Sequence, residues 1–292
     1  MSLIIVGTVP YEGFPLIHGV CSGDHHHLRV GLETIPVLRG TPALLAAACA
    51  VTRVLGLESP QTILAGDIGK GDGSKQIYAY LCEYLKDHGS EIMVFHYLQP
   101  EIDWHNRILM QIDDLVQRPL LIADAGYMYV AKMSGFASSY DLFTPDVGEL
   151  AFLADESAPH PFYTRGFLLQ EEHKVPEQIQ RAYLHENAAR YLLVKGRKDV
   201  VASSEGIIRV ISEPCEENLE PIGGTGDSLT GIVAALVQSG KTIVESAILG
   251  AAINRYLGLL AKPTPASSIA ELLSHLPQAL HIVLSQRQNE FL

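Results

Sequence analysis

The chain has 292 residues, of which 47% are hydrophobic and 18% charged, a balance that suits a buried core and excludes a disordered chain. Its 21 basic and 33 acidic side chains leave a formal charge of −12, which repels nucleic acid and anionic membranes and excludes both as main partners. Cys21, Cys49, Cys82 and Cys215 lack CxxC spacing, so neither a zinc or redox motif nor a secreted disulfide scaffold is expected.

In chain order, the apolar run 3–6 reads as a first strand ended by Gly7; no basic segment precedes it, so it is not read as a signal peptide. Residues 10–39 read as a long irregular loop, and 41–55 as an Ala/Leu-rich buried helix. A strand at 62–65 ends in the Gly-rich stretch 66–73, after which Ser74 is expected to cap a helix running to about Lys86. Strands follow at 91–97, 119–123 and 141–144, with a helix at 103–116 between the first two and another starting near Val147. A second irregular loop spans 154–172; loops this long in a compact domain are often lids or binding loops. A helix at 176–189, a strand at 191–194 and a hairpin of 200–202 with 207–211 around Gly206 come next. Helices at 226–239, 242–260 and 269–280 close the chain, the first ended by Gly240 in the C′ position. The longest apolar run, 43–51, is far shorter than the roughly 20 residues of a membrane span, so a soluble cytoplasmic protein is expected.

Repeated strand–helix–strand alternation predicts a mainly parallel sheet covered on both faces, an α/β class in which ligands bind at the carboxyl ends of strands. The unusual residues fall at those ends. Gly223-Gly224-Thr225-Gly226-Asp227 opens straight into an apolar helix. Its glycines permit positive φ and close backbone approach, and the first N–H groups of a helix have no intrahelical partner, which makes an anion site. Asp227 reads either as a helix cap or as the acceptor of a proton from an attacking hydroxyl. Lys195-Gly196 at a strand end reads as a solvated basic turn or as a phosphate contact. Thr144-Pro145-Asp146-Val147-Gly148-Glu149 has the composition of a helix start, with Thr144 as cap; the paired Asp146 and Glu149 also suit a hydrated magnesium ion. Gly66, Asp67 and Gly69 begin a glycine-rich turn that fails the P-loop pattern because Gly71 follows Lys70. Asp124 is one more strand-end carboxylate. His25, His26 and His27 read as a solvated loop, and Trp104, Tyr127 and Tyr129 as core or pocket wall.

Taken in order, these turns resemble those of the ribokinase-like superfamily, and most closely its ADP- or ATP-dependent NAD(P)H-hydrate dehydratase branch. The likeness runs from about Gly66 to Leu280. The family's early Gly-rich turn is similar to Gly66-Asp67-Ile68-Gly69, and its Asp-Ala-Asp-Ala strand end to Ile122-Ala123-Asp124-Ala125, with the second Asp kept. Its Thr-Pro-His-Pro-Gly-Glu motif resembles the segment from Thr144 to Glu149, its Leu-Lys-Gly strand end resembles Val194-Lys195-Gly196, and its Gly-Gly-Ser-Gly-Asp turn resembles Gly223 to Asp227. Asp146 stands where the dehydratases carry His, and is nearer in shape to the Asn of sugar and vitamin kinases.

The resemblance implies a single three-layer α/β/α domain over residues 1–292, using ATP or ADP with Mg2+ on a small-molecule substrate and assembling as a homo-oligomer. It implies that Asp227 is catalytic, taking the proton of a substrate hydroxyl that attacks the terminal phosphoryl group. Lys195, Gly196, Gly223, Gly224, Thr225 and Gly226 would bind the nucleotide phosphates. Gly66, Asp67, Gly69, Asp124 and Asp146 would meet the substrate, and Glu149 would hold magnesium through water. A dehydratase then expels the phosphate and restores a double bond, whereas a small-molecule kinase stops at the phosphorylated product. A nucleotide-binding protein without turnover is the third reading, and the intact Asp227 argues against it.

Overall fold

The computed structural model describes residues 1–156 and 172–290, with side chains described through residue 286. Most of the loop expected at 154–172 lies outside the described residues. The elements in chain order begin with strands β1 (Leu3–Val9), β2 (Ile17–Gly23), β3 (His27–Val30) and β4 (Glu33–Pro36), helix α1 (Thr41–Leu55), β5 (Gln61–Gly66) and α2 (Asp72–Tyr84). Next come β6 (Ile92–His96), α3 (Ile102–Asp113), β7 (Leu120–Asp124), α4 (Gly126–Met133), β8 (Leu142–Phe143), α5 (Val147–Ala154) and α6 (Val175–Leu184). The chain continues through β9 (Tyr191–Val194), β10 (Asp199–Ser203), β11 (Gly206–Ile211), α7 (Thr225–Gln238), α8 (Ile243–Ala261), α9 (Ile269–Leu273) and α10 (Leu276–Glu290). The fold is a three-layer α/β structure with a mostly parallel central sheet.

The chain gathers into two compact units. One comprises Met1–Ile5, Ile17–Ile63 and Ile211–Leu292; the other comprises Val6–Leu16 and Leu64–Val210. In the second unit β6, β7, β8 and β9 run parallel in that order, and β10 turns back antiparallel on β9. Their residues are buried on both faces, as near-continuous runs such as Ile92-Met93-Val94-Phe95 demand. Lys132 on α4 is buried and donates to the carbonyls of Phe152 and Asp155 at the end of α5; burial lowers its amine to about 8. That contact satisfies helix-terminal acceptors that would otherwise be orphaned.

In the first unit, α1 and α7 pack so closely that a Cβ on Gly231 would lie 2.1 Å from the Leu44 carbonyl oxygen. A Cβ on Gly250 of α8 would likewise meet Val233 Cγ2 at 2.5 Å. Small residues at these crossings fix the depth at which α7 sits between its neighbours. Helix α8 is long and apolar enough by length and composition to span a membrane, but Leu249, Gly250, Ala251, Ile253 and Leu257 are buried in packing against α7 and α10.

Several boundaries differ from expectation. The stretch 10–39 is not an irregular loop: β2, β3 and β4 form an antiparallel meander in it, with Leu28, Val30 and Ile35 turned inward. Its turns are built by Asp24, whose Oδ1 accepts from the amides of His26 and His27 at 2.8 Å, and by Gly31 at φ 59°. His25 and His26 sit on the first of these turns and His27 begins β3. Helix α4 was not expected; it buries every residue from Tyr127 to Lys132, so it has no polar stripe to reveal a 3.6-residue period. The helix expected at 269–280 is two helices, because Pro277 in the first turn of α10 has no N–H to donate and its ring would clash with the carbonyl of Leu273 in a continuous helix. The helix expected to reach 189 ends at Leu184, before Glu186 at φ 55°.

Candidate active site

In the first unit the turn at Gly223 to Asp227 delivers α7 to its place. Gly224 is the N-cap at φ 103°, and a Cβ there would lie 3.1 Å from Ile269 Cγ1 and 3.2 Å from Ala43 Cβ. Glycine is therefore required twice over, by conformation and by space. Gly224 offers no side chain to cap α7, and the helix dipole adds partial positive charge at the turn. Asn254 of α8 braces the first turn: its Nδ2 donates to the Thr225 carbonyl at 3.3 Å, and Ser228 Oγ lies 3.1 Å from its Oδ1.

Asp227 lies in the first turn of α7, and its Oδ2 accepts the Gly40 N–H at 2.8 Å. Gly40 is the N-cap of α1, at φ 67° and ψ −147°, a conformation that side-chain-bearing residues avoid. The residue before it, Arg39, lays its stem along the turn, with Cβ and Cδ each 3.7 Å from where a Cβ on Gly223 would be. Sequence reasoning missed Arg39, Gly40 and Asn254.

In the second unit the ends of four adjacent parallel strands present ionisable groups side by side. His96 ends β6 in register with Asp124 ending β7, and Asp146 bridges to Lys195 just past β8 and β9. Lys195 Nζ donates to both oxygens of Asp124, at 2.9 and 3.0 Å, and His96 Nε2 lies 3.8 Å from Asp124 Oδ2. Asp124 and His96 are fully buried, and the Gly196 amide points at Asp199 Oδ1 at 3.3 Å. The residues after two of these ends hold left-handed backbone: Tyr97 at φ 53°, and Ala125 at φ 52° and ψ −133°. Such conformations cost about 1–3 kcal/mol each and cluster at functional sites. His96 was not singled out from the sequence.

Asp146, not Thr144, is the cap of α5. Its side chain accepts the Glu149 N–H at 2.7 Å while Glu149 Oε2 accepts the Asp146 N–H at 2.8 Å, a reciprocal capping box; Thr144 is buried. Burial, reinforced by repulsion from Asp146, pushes the Glu149 carboxyl up to about 8. Two carboxylates held this close suit a cation that would relieve their repulsion.

Gly71, not Ser74, is the N-cap of α2, and Asp67 ties the glycine-rich turn to the helix. Its Oδ1 accepts from the amides of Gly69 and Gly71, and its Oδ2 from both the amide and the hydroxyl of Ser74. Burial works against the charge, but these four donors outweigh it and hold the carboxyl below its ordinary range. Gly66 is needed because a Cβ there would lie 2.2 Å from the Tyr11 carbonyl oxygen.

The family model for NAD(P)H-hydrate dehydratase matches residues 100–278. The segments holding Asp124, Asp146, Glu149, Lys195 and the turn 223–227 fall within that span, and Gly66, Asp67 and Gly69 fall before it. An uncharacterized protein of Methanocaldococcus jannaschii is 41% identical over 225 residues, 77% of this chain and 92% of its own. A bifunctional NAD(P)H-hydrate repair enzyme of Dictyoglomus turgidum is 24% identical over 294 residues, 98% of this chain and 51% of that protein. The chain thus spans about half the length of the bifunctional relatives it matches. Among solved structures, a ribokinase-like superfamily protein of Enterococcus faecalis superposes with a TM-score of 0.55 at 15% identity, covering 97% of this chain and 87% of that one. The pyridoxal kinase of Staphylococcus aureus in complex with ADP superposes with a TM-score of 0.50 at 10% identity, covering 87% of each chain. By sequence and by fold, the chain belongs to the NAD(P)H-hydrate dehydratase family of the ribokinase-like superfamily.

Proposed function

We propose that this protein is a nucleotide-dependent dehydratase of hydrated NADH or NADPH, with Asp227 as the general base. The observation that carries this reading is a carboxylate pinned by the Gly40 amide in the first turn of α7, a helix whose N-cap is Gly224. A substrate hydroxyl gives its proton to Asp227 as its oxygen attacks the terminal phosphorus of ATP or ADP, and the bond from that phosphorus to the leaving nucleotide oxygen breaks. The turn 223–227 aims backbone N–H groups where charge develops, a preorganised arrangement that needs no reorganisation during the step. The phosphate then leaves the substrate carbon with its bonding electrons, a proton is lost, and the double bond is restored.

The family membership and the ADP complex of a neighbour of like fold favour ATP or ADP as the phosphoryl donor. Lys195 and Gly196 are assigned to the nucleotide, and Asp124 and Asp146 to the substrate. Gly66 and Asp67 act through the turn that Asp67 organises, with Gly69 as one of its donors. Magnesium would be held at Glu149 and Asp146, where it would neutralise phosphate charge. A cytoplasmic homo-oligomer acting on a small molecule completes the reading; the tetrameric phosphofructokinase-2 of the same fold favours the assembly.

Nucleotide binding is checked by thermal melting. With magnesium and ATP or ADP at about 100 times Kd, binding adds about 2.7 kcal/mol, and the melting temperature should rise by several degrees. The absence of a shift with both nucleotides would contradict the reading.

A further inference from the structure

We propose that Arg39 is a nucleotide-binding residue that engages the di- or triphosphate at the turn opening α7, an assignment that rests on the nucleotide reading above. It lies outside the span matched by the family model, and three observations place it at this turn.

The first is position. The Arg39 stem packs on Gly223, so its guanidinium departs from the phosphate turn itself. The second is anchoring. The next residue, Gly40, has its amide committed to Asp227 Oδ2 and its backbone in a conformation that only glycine adopts readily. The direction in which Arg39 leaves the chain is therefore fixed by the same contact that holds the catalytic carboxylate. The third is charge. A phosphate brought near Asp227 meets a like charge, in a chain that already carries −12.

The turn's amides supply only partial positive charge, and a full cation beside them adds the ionic contact they lack. Three other basic side chains of this unit are committed elsewhere: Arg255 to the carbonyls of Ser212 and Pro214, Arg53 to the Gly23 carbonyl, Lys241 to Glu245. Arg39 is exposed and has no ion pair among the described residues. Its planar fork matches two phosphate oxygens, which a lysine cannot reproduce.

The test is calorimetric titration of the intact protein with magnesium and ATP or ADP, for the wild type, Arg39→Ala and Arg39→Lys. Removing a hydrogen bond between charged groups should weaken binding about tenfold or more in Arg39→Ala, with partial recovery in Arg39→Lys. The affinity of the wild type should fall more steeply with added salt than that of Arg39→Ala. The melting temperature without nucleotide should not change, since the side chain is exposed. Equal affinity of wild type and Arg39→Ala would overturn the assignment and leave the nucleotide reading standing. Weaker binding with an unchanged salt dependence would also overturn it, because the lost contact would not be ionic. A wild type that binds neither nucleotide overturns the nucleotide reading, and this assignment with it.

Discussion

Asp227→Asn should lose about 10²–10⁴-fold in turnover while binding nucleotide as the wild type does, because only proton removal is lost. The substitution is nearly isosteric, and the Asn side-chain oxygen can still accept the Gly40 amide that now meets Oδ2 at 2.8 Å. Turn and helix should therefore stay in place. Removing a negative charge beside the phosphate can only help binding, so a drop in kcat with an equal or lower nucleotide Kd is the expected pair of results. Single-turnover kinetics beside calorimetric titration separates them. Full activity in Asp227→Asn would show that the proton goes elsewhere and that the carboxylate serves as a cap.

Lys195→Met should cost about 3–5 kcal/mol of stability, the usual result of removing one member of a buried ion pair. Asp124 is 1% exposed and Lys195 donates to both its oxygens. The buried His96 lies 3.8 Å from the same carboxylate and is too distant to replace those hydrogen bonds. Removing the carboxylate as well, in Asp124→Asn with Lys195→Met, should recover part of the loss, because neighbouring substitutions in one network are not additive. Thermal and urea unfolding of the three variants measure this. A loss below about 1 kcal/mol would mean that the pair is already screened as surface pairs are.

The fold class was legible because strands such as 92–96 and 120–124 are continuous apolar runs separated by helical periods. The meander of β2 to β4 was not, because β2 buries only Cys21 and β3 and β4 have four residues each with one or two inward side chains, too little alternation to read. Helix α4 was hidden for the opposite reason, since all sides of its central turn are buried. At the site, glycine density marked the turn 223–227, and Gly224 proved to be demanded by Ala43 and Ile269. Asp67 was legible as unusual, but its four donors are invisible until the turn is folded. Gly40 and Arg39 carry no local mark: the contact between Gly40 and Asp227 spans 187 positions, and nothing in either neighbourhood announces the other.

Hydrated NADH incubated with the purified chain, magnesium and ATP or ADP tests the central claim most directly. The account predicts recovery of the NADH absorbance together with stoichiometric release of inorganic phosphate, dependent on nucleotide. No recovery, accompanied by phosphorylation of a sugar- or vitamin-like acceptor, would contradict it and make the protein a small-molecule kinase.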